Sequence, residues 1–266
     1  MKLRTVLAAA LATVALACGT ALATPSTQIW IPSTDVKSLK DIHIDIDNYS
    51  RFSTKADGGP NYYNIGLSAG VLPFENVKLE LGIDYLTTSL QNDNAFDNHP
   101  FYFNAKLGTP EDAFGIKGLP AFAVGAYNIG TYDKPELGLS TRQNIVYGLV
   151  AKTLPVVGRL SAGGYVGAKR ALYTAFNPVE TNMNSGVMAS WDRTMSEISD
   201  KLWLAVDYMS GNNANGALSV GGSWAFSKQV SLIVGVVTFN PFYKPSGTGD
   251  LPGGKPALTT QLDLSF

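Results

Sequence analysis

The chain has 266 residues, a formal net charge of −1, and charged side chains at only 15% of its positions. The near-neutral charge argues against a nucleic-acid surface, and 15% is low against the roughly 25% that is usual in soluble domains. The single cysteine, Cys18, falls in the N-terminal apolar segment, so the rest of the chain has no thiol for a disulfide, a cysteine-ligated metal or c-type haem.

Residues 1–23 have the pattern of a secretory signal peptide. Two cations in "MKLR" precede a short apolar run, and the small residues "ALA" stand before Thr24 and Pro25. Cleavage near Ala23 is therefore expected. Lipidation of Cys18 is the less favoured alternative, because Ala15 stands where a bulky aliphatic residue normally precedes a lipidated cysteine.

Residues 24–39, "TPSTQIWIPSTDVKSL", come before the first strand pattern. Two interpretations are open for this segment. It could be a periplasmic arm, since N-terminal arms are commonly mobile unless anchored. It could also fold back into the interior as a plug, with Trp30 as the anchor.

From residue 40 onward the dominant period is two. In "KDIHIDIDNYS", Ile42, Ile44 and Ile46 alternate with polar residues, as expected for half-buried strands. Runs of this kind are about ten residues long, which suits a tilted strand that crosses a bilayer. We predict twelve strands, at about 40–50, 62–71, 77–89, 100–108, 120–130, 143–153, 157–172, 185–195, 200–210, 216–226, 229–239 and 257–266.

The connections between these strands alternate in length. Those after odd-numbered strands are mostly long and rich in turn residues. Those after even-numbered strands are mostly short, as in "LPFEN", "TLPVV", "MSEIS" and "SKQ", with "TPEDAFGIKGLP" as the exception. Long loops at one end and tight turns at the other are typical of bacterial outer-membrane barrels. The predicted fold is therefore all-β, a single-chain antiparallel transmembrane β-barrel over residues 40–266, after a cleaved signal peptide.

In such a barrel the apolar faces meet lipid and the polar faces line the interior. Aromatic residues near the strand ends are expected to form interfacial girdles. They include Tyr62, Tyr63, Tyr85, Phe101, Tyr102, Phe103, Trp191, Trp203, Tyr208, Trp224, Phe226 and Phe266.

The charged residues on the polar faces are expected to line the lumen. The acidic ones are Asp45, Asp47, Glu80, Asp84, Asp192, Asp207 and Asp263, and the basic ones are Lys78, Lys106, Lys152, Arg159, Lys169 and Lys201. Because the two signs nearly balance, the sequence predicts no strong single-sign selectivity filter. Twelve strands lie between the filled lumen of eight and the open channel of sixteen, so we expect a restricted pore.

Catalytic and metal-binding chemistry has little support in the sequence. Residues 24–266 hold two histidines, His43 on a polar strand face and His99 beside a proline, and neither stands in an evident catalytic motif. The stretch "QNDNAFDN" (91–98) has clustered oxygen ligands but lacks the spacing of a calcium loop. We therefore predict no catalytic residues, no metal site and no cofactor.

Residues 257–266, "ALTTQLDLSF", predict the strand that closes the barrel. Leu258, Leu262, Leu264 and Phe266 would face lipid, and Gln261 and Asp263 the lumen. An aromatic residue at this position is similar to the signal read by the outer-membrane assembly machinery, so Phe266 is the candidate assembly signal.

The stretches "GLPAFAVGAYNIGTYD", "DKLWLAVDYMSGNNANGALSVGGSWAFS" and "QVSLIVGVVTFNP … LTTQLDLSF" resemble small porin-like outer-membrane β-barrel proteins of Gram-negative deltaproteobacteria. The resemblance covers most of residues 40–266 and carries no residue-specific functional motif. It implies residence in the outer membrane and passive or substrate-selective passage.

These observations lead to one main expectation and two alternatives. We expect a porin-like channel in the bacterial outer membrane, with lipid, the assembly machinery and small polar or ionic solutes as partners and no nucleic acid. The first alternative is a non-conducting barrel that acts as an adhesin or scaffold through its long loops. The second is an outer-membrane hydrolase dependent on His43 or His99.

Overall fold

A computed structural model describes residues 26–53, 59–89, 95–134, 136, 139–169, 172, 183–243 and 252–266. Twelve of its strands form one closed antiparallel barrel. They are β1 (Ile42–Arg51), β2 (Tyr62–Gly70), β3 (Lys78–Thr88), β4 (Phe101–Thr109), β5 (Ala121–Gly130), β8 (Ile145–Leu154), β9 (Gly158–Val166), β10 (Ser185–Thr194), β11 (Leu202–Met209), β12 (Ala217–Ala225), β13 (Val230–Phe239) and β14 (Ala257–Ser265).

The remaining described elements are small and lie in the connections. Strands β6 (Asp133–Lys134) and β7 (Leu139–Ser140) form a separate two-stranded sheet between β5 and β8. Helix α1 (Ala95–Asn98) precedes β4, and a short 3₁₀ helix (Ala113–Gly115) follows it. None of the helices in the described ranges is long and apolar enough to cross a membrane.

Pairing between β1 and β14 closes the barrel. Their register runs from His43 opposite Ser265 to Arg51 opposite Ala257, and the backbones of Ile42 and Phe266 exchange two hydrogen bonds of 2.9 Å. All other barrel neighbours are also antiparallel. The predicted twelve-stranded all-β barrel is therefore confirmed; the predicted signal peptide (1–23) lies outside the described residues.

The outward face of the barrel is apolar. Alternate residues along the strands expose large hydrophobic side chains, because closure of the sheet leaves them no protein partner. These residues include Ile42, Ile46, Ile65, Leu67, Leu81, Phe103, Leu107, Phe122, Val124, Val146, Val150, Leu160, Val187, Val220, Val234, Val236 and Leu258. Some of the aromatics expected in the girdles face inward instead, since Tyr62, Tyr102 and Trp203 share their strand face with lumen residues.

The two ends of the barrel differ as predicted. At one end the strands are joined by the short connections 71–77, 155–157, 195–201 and 226–229 and by the longer connection 110–120, and we call this the short-turn end. At the other, the long-loop end, several loops bond to one another over the lumen. Asn213 donates to the Tyr165 hydroxyl and the Met183 carbonyl, both at 2.7 Å, and Asn240 donates to the Asn213 carbonyl at 2.9 Å.

Candidate functional site in the barrel lumen

Residues 26–39 run through the interior of the barrel. Residues 28–31 make a tight turn in which the Gln28 N–H donates to the Ile31 carbonyl at 2.7 Å. At the tip, the Trp30 indole N–H donates to the Asn215 carbonyl at 2.8 Å, in the β11–β12 loop of the long-loop end. Further along, Leu39 bridges to Gly70, where β2 finishes at the short-turn end. The segment, which we call the inner hairpin, thus spans the lumen from end to end.

The barrel wall holds the tip of the inner hairpin by its backbone. The Asp207 Oδ2 atom accepts hydrogen bonds from the N–H groups of Ile29 and Trp30, at 2.7 and 2.9 Å. The Gln261 amide donates to the Ile29 carbonyl at 2.7 Å. Since Asp207 and Gln261 are 0% and 2% exposed, these bonds are shielded from water and strong.

Side-chain contacts fix the hairpin to a second region of the wall. Gln28 donates to Asp192 on β10 at 2.9 Å. The Arg159 guanidinium on β9 contacts both carboxylate oxygens of Asp35 at 2.8 Å and Asp192 at 3.0 Å. A planar guanidinium is suited to holding two carboxylates at once, so Arg159 joins the hairpin to the wall.

The return limb of the hairpin lies on β3 and β4. Glu80 accepts the backbone N–H of Lys37 at 3.1 Å and the Ser68 hydroxyl at 2.7 Å, and it pairs with the Lys106 ammonium at 3.7 Å. Lys106 also donates to the Ser26 carbonyl at 2.6 Å. Glu80 and Lys106 are therefore occupied in holding the hairpin.

Apolar side chains fill the lumen around the tip. Ile31 packs in a cluster with the inward residues of β8–β11, and Ile29 in a second cluster with those of β11–β14. Trp30 touches both clusters and meets the rings of Tyr49 and Phe239 edge-on at 5.3 and 5.2 Å. With Ile29 at 1% and Ile31 at 0% exposure, this half of the lumen resembles a protein core.

The wall formed by β1–β4 is different midway along its strands, where its polar side chains remain partly exposed. Nearer the short-turn end, His43, Ser68, Glu80 and Lys106 on the same wall are buried. Asp45, Asp47 and Asp84 face the lumen in the middle part with two amides. Asn64 donates to Asp45 at 2.9 Å, and Asn104 donates to Asp84 at 2.7 Å. Within the described ranges no cation pairs with these three carboxyl groups.

Three of the predicted lumen lysines lie elsewhere. Lys152 has the outward orientation of Val150 and pairs with Glu111 and Asp112 of the 110–120 turn at 3.0 and 3.2 Å. Lys169 is exposed beyond the end of β9, and Lys201 is exposed in the turn before β11. Polarity alone had assigned Lys152 to the interior, but near a strand end a long cationic side chain can reach polar partners from the outer face.

Of the remaining predicted residues, Lys78 begins β3 on the face of Glu80, and Asp263 faces the lumen from β14. The charges that remain inside are no longer balanced. Lys106 and Arg159 are bound to carboxylates, whereas Asp45 and Asp84 are bonded to amides and Asp47 is in no ion pair among the described residues. The expectation that acidic and basic side chains nearly balance in the lumen is wrong. Lys152 is on the outward face of β8, and Lys169 and Lys201 lie outside the limits of the strands.

His43 lies between a hydroxyl and a carboxylate. Its Nδ1 atom is 3.1 Å from Ser265 Oγ and its Nε2 atom is 3.4 Å from Asp263 Oδ1, which gives the connectivity of a serine–histidine–acid group. All three residues are at most 5% exposed, and Asp263 also accepts from Ser231. A substrate has no access to such a serine, so the group braces the β1–β14 seam.

The other candidate chemistry does not converge on a site. His99 stacks on the Tyr132 ring at 4.0 Å, outside the barrel strands. Among the described residues no group of three or more histidine, cysteine or acidic side chains could hold a metal ion.

The sequence analysis did not identify the residues that bond to the lumen charges, either on the β1–β4 wall or in the inner hairpin. Asn64 and Asn104 could have been found, because both alternate onto the polar faces of "YYNIGLSAG" and "FYFNAKLGT". The roles of Gln28 and Asp35 had no local signal, since their partners Asp192 and Arg159 are more than 120 residues away.

Comparison with known proteins gives matches among solved structures only. No protein-family model matches the chain, and no curated protein matches it. An outer-membrane channel from Pseudomonas putida F1 is 10% identical and covers 94% of this chain and 100% of its own, with a TM-score of 0.47. OmpF of Salmonella typhi in complex with daunomycin is 9% identical, with 85% and 96% covered and a TM-score of 0.41.

A third solved structure, the outer-membrane protein Omp33 of Acinetobacter baumannii, is 8% identical, with 85% of this chain and 98% of its own covered and a TM-score of 0.40. All three are similar in overall barrel form. At these identities and TM-scores below 0.5 they carry no argument about function, which depends on the geometry described above.

Proposed function

We propose that the protein is a porin-like channel of the bacterial outer membrane that lets small polar or ionic solutes pass passively. The observation that carries the proposal is the contrast between the two faces of one closed barrel. The outer face is apolar all round, and inside it the β1–β4 wall keeps Asp45, Asp47 and Asp84 partly exposed.

Strand lengths support the bilayer as the surroundings of the barrel. The barrel strands have 8 to 11 residues, close to the roughly 9 to 11 that a tilted strand needs to cross a membrane. Lipid would contact the apolar outer face, and the long-loop end would face the cell exterior. In this setting Phe266, beside Ile42 at the closing seam, remains the candidate signal for the assembly machinery.

The filled half of the lumen implies a narrow channel. Twelve strands alone would leave a restricted pore, and the inner hairpin occupies much of that space through Ile29, Trp30 and Ile31. We therefore expect small unitary conductances and exclusion of solutes larger than small sugars or ions.

Planar-bilayer recording of the refolded full chain tests this function. We expect discrete conductance steps from samples whose barrel is folded, as shown by heat-modifiable migration on gels. Heat-unfolded protein at the same concentration is the control. Folded barrels that give no steps above this control would refute the channel, and recovery outside the outer-membrane fraction would refute the location.

A further inference from the structure

We infer that the solute route is eccentric and follows the middle of the wall formed by β1–β4, where the two apolar clusters form its closed opposite side. Towards the short-turn end the route is bounded by the return limb of the inner hairpin, which is held on β3 and β4. The inference rests on the proposed channel function and deepens it by naming the residues that border the route. Four of them, Asp45, Asn64, Asp84 and Asn104, come from four consecutive strands.

The first line of argument is that the rest of the lumen is closed. Lumen-facing side chains on β8 to β13 are at most 5% exposed at Tyr147, Leu149, Met188, Met209 and Val237. They pack on one another and on Ile29 and Ile31 in two clusters. Close-packed side chains of this kind leave no room for a hydrated solute.

The second line of argument is that the loops cover the same half. Asn213 and Asn240 are both 0% exposed, and they join the 210–216 loop to the loops on either side of it. The Asn215 carbonyl also accepts the Trp30 indole N–H, so the 210–216 loop and the tip of the inner hairpin are bonded to each other. A solute that enters from the long-loop end is thereby directed away from β9–β13.

The third line of argument is that glycines keep the β1–β4 wall flat. The Asp45 carboxylate lies over Gly66, where an added Cβ would be 2.2 Å from Asp45 Oδ1. Asn104 lies in the same way over Gly82, with an added Cβ 2.3 Å from its Oδ1 atom. Because both polar side chains lie along the sheet, they border the space beside them without crossing it.

The hairpin is a fixed wall because its removal would leave buried groups without partners. Asp207 would lose two backbone donors, and the Arg159–Asp192 pair would lose Asp35 and Gln28. Ile29 and Ile31 would also leave the clusters that they complete. These losses oppose spontaneous opening on the side of β9–β13.

Cysteine accessibility tests the position of the route. The variants N64C and N104C place a thiol on the β1–β4 wall, and L149C and V237C place one on the closed side. Cys18 is the only native cysteine and falls in the predicted signal peptide, so each refolded variant of residues 24–266 carries one thiol. Folded barrels in detergent are treated with the small cationic reagent 2-(trimethylammonium)ethyl methanethiosulfonate, and labelling is followed by mass spectrometry and current in bilayers.

We expect N64C and N104C to react at least tenfold faster than L149C and V237C, and their modification to reduce the current. Equal or reversed labelling would overturn the eccentric route, whether or not the protein conducts. If labelling follows the expected pattern and no current is seen, the channel function fails while the accessible wall stands.

A disulfide between the hairpin and the wall tests whether the hairpin is fixed. An added Cβ at Gly235 lies 3.3 Å from Ile29 Cγ2, which places the I29C/G235C pair within reach of a disulfide. We expect the same current before and after reduction of this bond, because the hairpin does not move during conduction. A current that rises on reduction would show a moving plug and would overturn the fixed wall.

Discussion

Asp207 illustrates how one residue of the wall organises the interior. Its carboxylate is 0% exposed and accepts two backbone N–H groups of the inner hairpin. We expect D207A to lower the free energy of unfolding by about 2 kcal/mol or more, because two buried donors lose their acceptor. Urea unfolding in detergent micelles measures the change.

The matched control for this substitution is D200A, at an exposed turn residue, which should stay within about 0.5 kcal/mol. Equal effects of D207A and D200A would show that the hairpin is not held by Asp207.

The carboxyl groups of the β1–β4 wall give a second prediction at the residue scale. Asp84 is partly exposed to the lumen and has Asn104 as its partner. A unit charge about 10 Å from a permeating ion in water contributes about 0.4 kcal/mol, which is a factor of about two and has opposite sign for cations and anions. D84N should therefore lower the cation-to-anion permeability ratio about fourfold. Reversal potentials across a salt gradient measure this ratio.

E197Q removes a charge that belongs to a turn ion pair with Arg193, and it should leave the permeability ratio unchanged. An unaltered ratio in D84N would mean that ions do not pass beside this wall.

The sequence predicted the faces of residues better than their partners. Strand alternation correctly placed Asp207, Gln261 and Asp263 inside. It failed at Lys152, where the outward position of Val150 two residues earlier was the stronger signal. Whether a lumen charge is paired depends on contacts between separate strands or with the inner hairpin, as for Glu80 with Lys106 and Arg159 with Asp35, and no local pattern contains that information.

At the scale of an element, the 110–120 turn is held to β8 by a small charged group. Thr153 donates its N–H and hydroxyl to Glu111 at 2.8 and 2.6 Å, and Lys152 pairs with Glu111 at 3.0 Å. Partial burial raises the pKa of Glu111, but the hydrogen bonds from Thr153 and Lys152 outweigh it and hold that pKa below the ordinary 4.5. The folded state therefore favours the ionised carboxylate.

This shift has a defined sign in the pH dependence of stability. The stabilisation of the folded state by the ionised Glu111 carboxylate is complete above the ordinary pKa of 4.5 and is lost as the pH falls through the lower pKa of the folded state. We expect E111Q to cost at most about 1 kcal/mol at pH 7, because solvent screens the group. The E111Q variant should also lose less stability than the native chain on acidification below pH 4.5.

Guanidinium unfolding at several pH values measures this effect, with E75Q in the neighbouring 71–77 turn as the control at an exposed glutamate. If the free energy of unfolding changed with pH in the same way for E111Q and the native chain, the stabilising role of Glu111 would be contradicted.

The strands could be predicted from the sequence pattern, but the inner hairpin could not. The strands were predictable to within a few residues, since alternation repeats along each of them; the predicted run 77–89 is observed as Lys78–Thr88. The one large error was 157–172, where β9 ends at Val166 because polar and small residues continue the pattern into the loop. Residues 24–39 have no periodicity, so the course of residues 26–39 inside the lumen follows from tertiary contacts alone.

For the molecule as a whole, the apolar outer face makes a prediction about its surroundings. Val220 is 53% exposed in the middle of β12 and pairs with Val206 and Val236 on the neighbouring strands. If this row faces the bilayer interior, V220R should cost about 2 to 4 kcal/mol of folding free energy in lipid vesicles. S227R, in the turn after β12, should cost much less.

Equal costs for V220R and S227R would contradict a lipid-facing belt. Both variants are refolded into the same lipid vesicles and unfolded by guanidinium, because the comparison reports contact with lipid only when lipid is present.

The long-range contacts of the hairpin have a consequence for the order in which the molecule is completed. Ile29 bonds to Asp207 and Gln261, which follow it by 178 and 232 residues. A segment that leaves the ribosome early must therefore wait until the last strand exists before its own structure can form. Contacts so distant in sequence form slowly, and during this delay Ile29, Trp30 and Ile31 are exposed to chaperones and proteases.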